Sequence, residues 1–134
     1  MMRGFATITY FADDLDAAEA WYTELLGLPP YFEVPGGYVE FRFGDHSQEL
    51  GIIEGGWAPH DMGAAPGGQI AYWHVDDLDA AIARLASLGA KEYEPKTVRG
   101  PGFVTASFVD PFGNVLGVMY NQHYLDVLAG REAP

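Results

Sequence analysis

The sequence predicts an α+β fold of two tandem βαβββ modules, which together form a curved mixed sheet around a cavity. The first observation is an internal repeat: Tyr10–Ala18 returns as Trp73–Ala81, with Asp-Asp-Leu-Asp-Ala-Ala in both copies. The second is that both copies continue with helical periodicity to a Leu-Gly pair. The third is a shared ending, in which Glu49–Ile53 corresponds to Val115–Met119. Because the repeat is too long for a solenoid of short units, it indicates two fused modules.

The first module is predicted to span residues 5–54. Phe5 to Phe11 is rich in β-branched and aromatic residues, which is typical of a strand. Asp13 or Asp14 is predicted to cap the helix that follows, and Gly27 to end it. The apolar stripe of this helix is predicted to consist of Leu15, Ala18, Tyr22, Leu25 and Leu26.

Two further strands of the first module follow a connection bracketed by Pro29-Pro30 and Pro35–Gly37. Tyr38 to Phe43 alternates between apolar and polar residues, which predicts a strand with one buried face. Glu49 to Ile53 is predicted to form the last strand.

A linker over residues 55–69, rich in Gly, Pro and Ala, leads to the second module over residues 70–120. Residues 121–134 are predicted to form a short helix and tail, and residues 1–134 a single domain with one core. The predicted elements of the second module are a strand over 70–75, a helix over 77–88, and strands over 92–98, 103–109 and 115–120.

Charge and composition exclude several functions. The net charge of −12 at pH 7, from 19 acidic and 7 basic residues, argues against nucleic acid and anionic membranes as partners. The same charge favours a cationic small molecule. The chain has no cysteine, which excludes disulfides and thiolate chemistry. With no evident signal peptide or membrane span, the cytoplasm is the expected compartment.

The chain resembles the vicinal oxygen chelate superfamily, which includes glyoxalase I, bleomycin-resistance proteins and extradiol dioxygenases. The resemblance covers residues 5–120 and implies the paired-module fold, and also a homodimer, since several relatives assemble as two-fold dimers. It does not fix the function, because the superfamily hosts both enzymes and binding proteins. The matching segments are Asp14–Asp16, Trp21-Tyr22, Leu25–Leu28, Val75–Ala81, Leu88-Gly89 and Asp110–Asn114.

The resemblance also implies a divalent metal held by His, Glu or Gln on the first and last strands of each module. The corresponding positions are Thr7, Gly51, Ile70 and Gly117. Because these residues supply no metal ligand, we predict neither a metal nor a cofactor. The alternative is a relocated metal site built from Glu49, His74, His46 and Glu54.

Strand alternation then predicts a cavity lined by aromatic and hydroxyl side chains, which suits a flat organic molecule. Gly51 and Gly117 are expected either to leave room for a close ligand or to allow tight sheet curvature. The predicted ligand-binding residues are Thr7, Thr9, Tyr38, Arg42, Ile53, Trp57, Tyr72, His74, Phe103, Ser107 and Met119; Glu40, Ile70 and Thr105 extend the lining.

These observations predict a glyoxalase/bleomycin-resistance-like protein that binds or sequesters a small aromatic or cationic organic molecule in the central cavity. The alternative is a vicinal oxygen chelate enzyme, a lyase, isomerase or dioxygenase. Such an enzyme would use non-standard metal ligands, or no metal and an acid or base such as His74 or Glu40. Binding is preferred because spacing alone reveals no acid–base pair.

Overall fold

The structure is a computed structural model that describes residues 1–61 and 65–130. Residues 62–64 of the predicted linker and 131–134 of the predicted tail lie outside the described residues. The strands form two four-stranded mixed sheets, so the predicted α+β fold of two tandem modules is confirmed. The elements are β1 (Thr7–Ala12), α1 (Leu15–Leu26), β2 (Phe32–Val34), β3 (Tyr38–Phe43), β4 (Gln48–Glu54), a 3₁₀ turn (Gly55–Trp57), β5 (Ala71–His74), α2 (Leu78–Ser87), β6 (Lys91–Gly100), β7 (Phe103–Val109), β8 (Val115–Asn121) and α3 (Gln122–Leu128).

The chain divides into two compact units, of which the first comprises Met1–Ala65 and Phe112–Asn114. Its sheet has the strand order β1-β4-β3-β2. β1 runs parallel to β4, and the other pairs are antiparallel. Helix α1 begins as predicted, because the Asp14 side chain accepts a hydrogen bond from the Ala17 N–H at 3.0 Å. It ends at Gly27, whose φ of 72° belongs to the left-handed region.

The core of the first unit lies between α1 and one face of this sheet. Tyr22 of α1 is fully buried, and its ring centroid lies 6.0 Å from that of Tyr10 on β1. The core side chains come from alternate positions of the strands, as the alternation in β3 predicted. They are Tyr10, Ala12, Val39, Phe41, Leu50 and Ile52 from the sheet, and Leu15, Ala18 and Tyr22 from the helix.

The second unit comprises Pro66–Pro111 and Val115–Pro134, and its sheet repeats the arrangement with the order β5-β8-β7-β6. Asp77 caps α2 through the Ala80 N–H at 3.0 Å, which matches Asp14 in the first unit. The core of this unit consists mainly of Leu78, Leu85, Ala106, Phe108, Val115, Leu116 and Val118. Among the helices in the described part of the chain, none is long and apolar enough to span a membrane.

Two elements lie where the sequence predicted only connections. Strand β2 occupies three exposed residues between the two proline-containing segments, and it pairs with β3 through Val34↔Tyr38. The 3₁₀ turn Gly55–Trp57 occupies the start of the predicted linker, and the Glu54 side chain caps it by accepting from the Gly56 N–H at 2.9 Å. Neither element is long enough to show a periodic pattern.

Candidate binding site

The face of the first sheet opposite α1, here called the helix-free face, carries the polar residues of β1 and β3. Strand register places Thr7, Glu49 and Arg42 in one row across this face, and Thr9, Gly51 and Glu40 in the next. A third row holds Phe11, Ile53 and Tyr38. The predicted site residues of the first module's strands therefore share one face, as alternation indicated.

A hydrogen-bond network crosses this face. Glu49 accepts from the Thr7 hydroxyl at 3.0 Å and from the Arg42 guanidinium at 3.0 and 3.1 Å. Arg42 also lies 3.5 Å from Glu40, which accepts from the Tyr38 hydroxyl at 2.8 Å. Two carboxylates share one guanidinium, so the network carries a net negative charge.

Tyr38 remains a neutral donor in this network. Burial, the hydrogen bond to Glu40 and the negative charges of Glu40 and Glu49 raise the pKa of Tyr38 to about 12. The phenol therefore keeps its proton at neutral pH, and it holds the Glu40 carboxylate in place.

Two exposed aromatic rings lie beside the network. Tyr31 is 63% exposed, and the Arg42 guanidinium lies 3.8 Å from the centroid of its ring. Phe32 is 50% exposed and its ring lies 6.4 Å from that of Tyr38. Sequence reasoning missed Tyr31 and Phe32, although extending the alternation of Tyr38 across the hairpin to a paired strand would have found Phe32.

Trp57 also belongs to this unit. Its indole is 62% exposed and lies directly on Gly37, in the turn between β2 and β3. The residue therefore packs on the hairpin of its own unit while most of its surface faces solvent.

The glycines at the implied metal positions are each covered by a tyrosine of the same unit. A Cβ added at Gly51 would lie 2.5 Å from the Tyr38 hydroxyl oxygen, and one at Gly117 would lie 2.3 Å from Tyr72 Cδ1. Each glycine therefore makes room for a side chain of the protein itself, an arrangement that the sequence analysis did not predict.

The matching face of the second sheet carries the other predicted residues. Register places Tyr72 beside Gly117 and His74 beside Met119. Tyr72 and Phe103 are partly exposed. Ser107 is fully buried, and its hydroxyl lies 3.4 Å from a Glu94 carboxylate oxygen. Burial and Glu94 raise the pKa of Tyr72, and Arg99 opposes them.

His74 is engaged on both ring nitrogens. Nδ1 accepts from the Asn121 N–H at 3.2 Å, which leaves the proton on Nε2, 3.0 Å from an Asp76 oxygen. The ring also stacks on Tyr124 of α3, with centroids 4.8 Å apart and planes 7° apart. His74 thus contacts both the second sheet and α3, and it holds α3 against the sheet.

The residues present do not fit the metal that the resemblance implies. The Glu49 carboxylate accepts hydrogen bonds from Thr7 and Arg42. The Glu54 carboxylate caps the 3₁₀ turn, and both ring nitrogens of His74 have hydrogen-bond partners. Within residues 1–61 and 65–130, no three His, Asp or Glu side chains are grouped so that they could hold a metal ion. Within each unit, Glu49, Glu54 and His74 are thus engaged in contacts other than metal binding.

The chain matches the model of the Glyoxalase/Bleomycin resistance protein/Dioxygenase superfamily over residues 4–118. No curated protein gives a significant match.

Solved structures share the fold. A lactoylglutathione lyase from Agrobacterium tumefaciens is 24% identical with a TM-score of 0.69, and the match covers 92% of this chain and 98% of the lyase. The bleomycin resistance determinant encoded on transposon Tn5 is 24% identical with a TM-score of 0.64, over 89% and 98% of the two chains. A fosfomycin resistance protein from Listeria monocytogenes, in complex with Mn(II), is 16% identical with a TM-score of 0.72, over 90% and 92%.

Proposed function

The chain belongs to the Glyoxalase/Bleomycin resistance protein/Dioxygenase superfamily, and from this premise we propose that it binds a small organic molecule that is flat, aromatic and cationic. The helix-free face of the first unit is the proposed site. Sequestration of that molecule is the role that draws on the likeness to the bleomycin resistance determinant.

One observation carries the proposal: exposed aromatic rings lie beside a network with more carboxylates than cations. Tyr31 and Phe32 offer ring surface, and the Arg42 guanidinium on Tyr31 is a cation–π contact within the protein itself. Glu40 and Glu49 exceed the single charge of Arg42, so the local charge favours a cation. The overall charge of −12 acts in the same direction.

Calorimetric titration with three probes tests the proposal. Proflavine is a planar cation, 9-anthracenecarboxylate is a planar anion, and tetraethylammonium is a cation without a ring. We expect saturable binding of proflavine and much weaker binding of the other two. Failure of proflavine to bind, or a preference for the anion, would contradict the proposal.

Two substitutions locate the binding. Glu40→Gln removes the excess charge and Tyr31→Leu removes a ring, and each is expected to weaken proflavine binding roughly threefold to tenfold. Glu92→Gln, an exposed carboxylate on β6, is the matched control and should leave the Kd unchanged. Equal effects of Glu92→Gln and Glu40→Gln would point to the overall charge rather than to this face.

We also propose that the protein is a homodimer. Apolar side chains stand exposed on the outer strands, Val34 on β2 and Val98, 72% exposed, on β6. Exposed apolar residues on sheet edges are natural contacts between copies. Light scattering should give twice the mass of the 14.6 kDa chain; the mass of a single chain would contradict the proposal.

A further inference from the structure

The indole of Trp57 is fixed on a glycine. A Cβ built at Gly37 would lie 2.3, 2.4 and 3.0 Å from Cη2, Cζ3 and Cζ2 of the Trp57 six-membered ring. That point is close to three consecutive ring atoms, so the face of the ring covers Gly37. One face of the indole is therefore against the backbone of the β2–β3 turn.

Backbone hydrogen bonds hold both partners in place. The Glu54 N–H donates to the Gly37 carbonyl at 2.9 Å, and the Gly37 N–H donates to the Val34 carbonyl at 3.0 Å. The 3₁₀ turn that carries Trp57 is closed by the Ala58 N–H on the Gly55 carbonyl at 3.1 Å. The contact with Gly37 and these hydrogen bonds together limit the motion of the Trp57 indole, although 62% of the residue is exposed.

We infer that the outer face of Trp57 is a stacking seat for the flat ring of a cationic organic molecule. A large ring held in advance in one orientation loses little conformational entropy when a second ring stacks on it. The Glu54 carboxylate, which accepts a hydrogen bond from the Gly56 N–H, adds negative charge to the turn that carries Trp57. This inference rests on the proposed function and extends the proposed site beyond the helix-free face to Trp57, which packs on the turn before Tyr38.

Gly37 is the residue that sets the position of the seat. An alanine at this position would place its Cβ against the indole, and Trp57 would have to move away. The atoms in conflict lie at the far end of the side chain, so the indole can tilt while the fold persists. Gly37→Ala therefore displaces the seat without removing the ring.

The test measures proflavine binding by calorimetry and by the indole N–H signals in ¹⁵N–¹H spectra of the full chain. The chain has three tryptophans, and Trp57→Leu identifies the signal of Trp57. We expect that signal to shift most on titration with proflavine. Trp57→Leu and Gly37→Ala should each raise the Kd roughly tenfold, the range of one ring-stacking contact.

Two control substitutions match these changes. Gly67→Ala adds a Cβ where nothing lies within 4 Å, and Tyr93→Leu removes a comparably exposed ring from β6. Both should leave the Kd unchanged.

The outcomes separate this inference from the proposed function. If proflavine binds wild type and Trp57→Leu equally, the seat is wrong and the proposed function stands. If wild type does not bind proflavine, the proposed function itself fails. If the Trp57 signal shifts on dilution of the protein alone, and proflavine does not compete, Trp57 contacts a second copy and the seat is overturned.

Discussion

The hydroxyl edge of Tyr38 occupies the space above Gly51, where an added Cβ would lie 2.5 Å from the phenol oxygen and 2.6 Å from Cε1. In the second unit the ring of Tyr72 covers Gly117 in the same way, but through atoms nearer to its own backbone. Both glycines stand at positions where the superfamily resemblance implies metal ligands. At both, a phenol ring of the protein takes up space that a ligand side chain would need.

The two pairs should differ in their tolerance of alanine. Gly51→Ala displaces only the hydroxyl end of the Tyr38 side chain. We therefore expect the free energy of unfolding to fall by about 1 kcal/mol, near the contribution of the hydrogen bond from Tyr38 to Glu40. Gly117→Ala meets Tyr72 Cγ at 2.8 Å and forces a new rotamer, at about 1–3 kcal/mol. Urea unfolding measures both, with Gly67→Ala as control. A larger loss for Gly51→Ala than for Gly117→Ala would contradict this order.

The raised pKa of Tyr38 predicts alkaline destabilisation. In the unfolded chain the phenol releases its proton near pH 10, whereas the folded chain holds it to about pH 12. Stability is therefore full below pH 10 and falls as the pH rises toward 12. Because the ring is partly exposed, we expect the loss in the free energy of unfolding to be about 1 kcal/mol.

Tyr38→Phe should remove this component of the loss, and a tyrosinate absorbance titration should lack its highest-pH step. Tyr93→Phe is the matched control. Identical urea midpoints for wild type and Tyr38→Phe, relative to their values at pH 8, across pH 9–11 would contradict the prediction.

The sequence predicted the large elements well because their signals are redundant. α1 has a capping Asp14, an apolar stripe and a closing Gly27, which all specify the same helix. β3 alternates without interruption, and its register then fixes which face Arg42 and Tyr38 share. Long periodic segments with matching caps are where pattern and structure agree.

The candidate site was harder to predict, because its features depend on contacts between distant residues. Nothing in the sequence near Gly37 or Gly51 says that Trp57 and Tyr38 will lie on them. The commitment of both His74 nitrogens depends on Asn121 and Asp76, one of which lies on another strand. Spacing placed His74 on the face that it shares with Tyr72 but did not show what its ring contacts.

A pair of carboxyl groups predicts a stabilising substitution. Partial burial raises the pKa of Glu19 on α1, as do its hydrogen bond with Glu33 on β2 and repulsion from Glu33 and Asp16. A raised carboxyl pKa means that stability is present in acid and lost as the pH rises through that pKa. Glu19→Gln should therefore stabilise the protein at pH 7, by a few tenths of a kcal/mol because Glu33 is exposed and solvent screens its charge.

Urea midpoints at pH 7 and below pH 4 measure this gain, which should vanish in acid, where Glu19 is already neutral. Glu92→Gln, outside the pair, is the control for removing one negative charge. An equal gain from both substitutions at pH 7 would show that overall repulsion, and not the contact between Glu19 and Glu33, is responsible.

The Asn114 side chain forms hydrogen bonds with the backbone of β1, as a paired strand would. Its amide donates to the Phe11 carbonyl at 2.9 Å and accepts from the Phe11 N–H at 3.2 Å, so one side chain satisfies both backbone groups of a β1 residue. Asn114→Ala leaves these part-buried groups unpaired, and we expect the free energy of unfolding to fall by about 1–3 kcal/mol.

Hydrogen exchange gives a specific readout of this contact, because the Phe11 amide should lose protection while the Ile52 amide, in the adjacent β4, keeps its own. Gly67→Ala, in a segment remote from β1 in sequence, serves as the control. Unchanged protection of Phe11 in Asn114→Ala would show that the contact contributes nothing to the edge of the sheet.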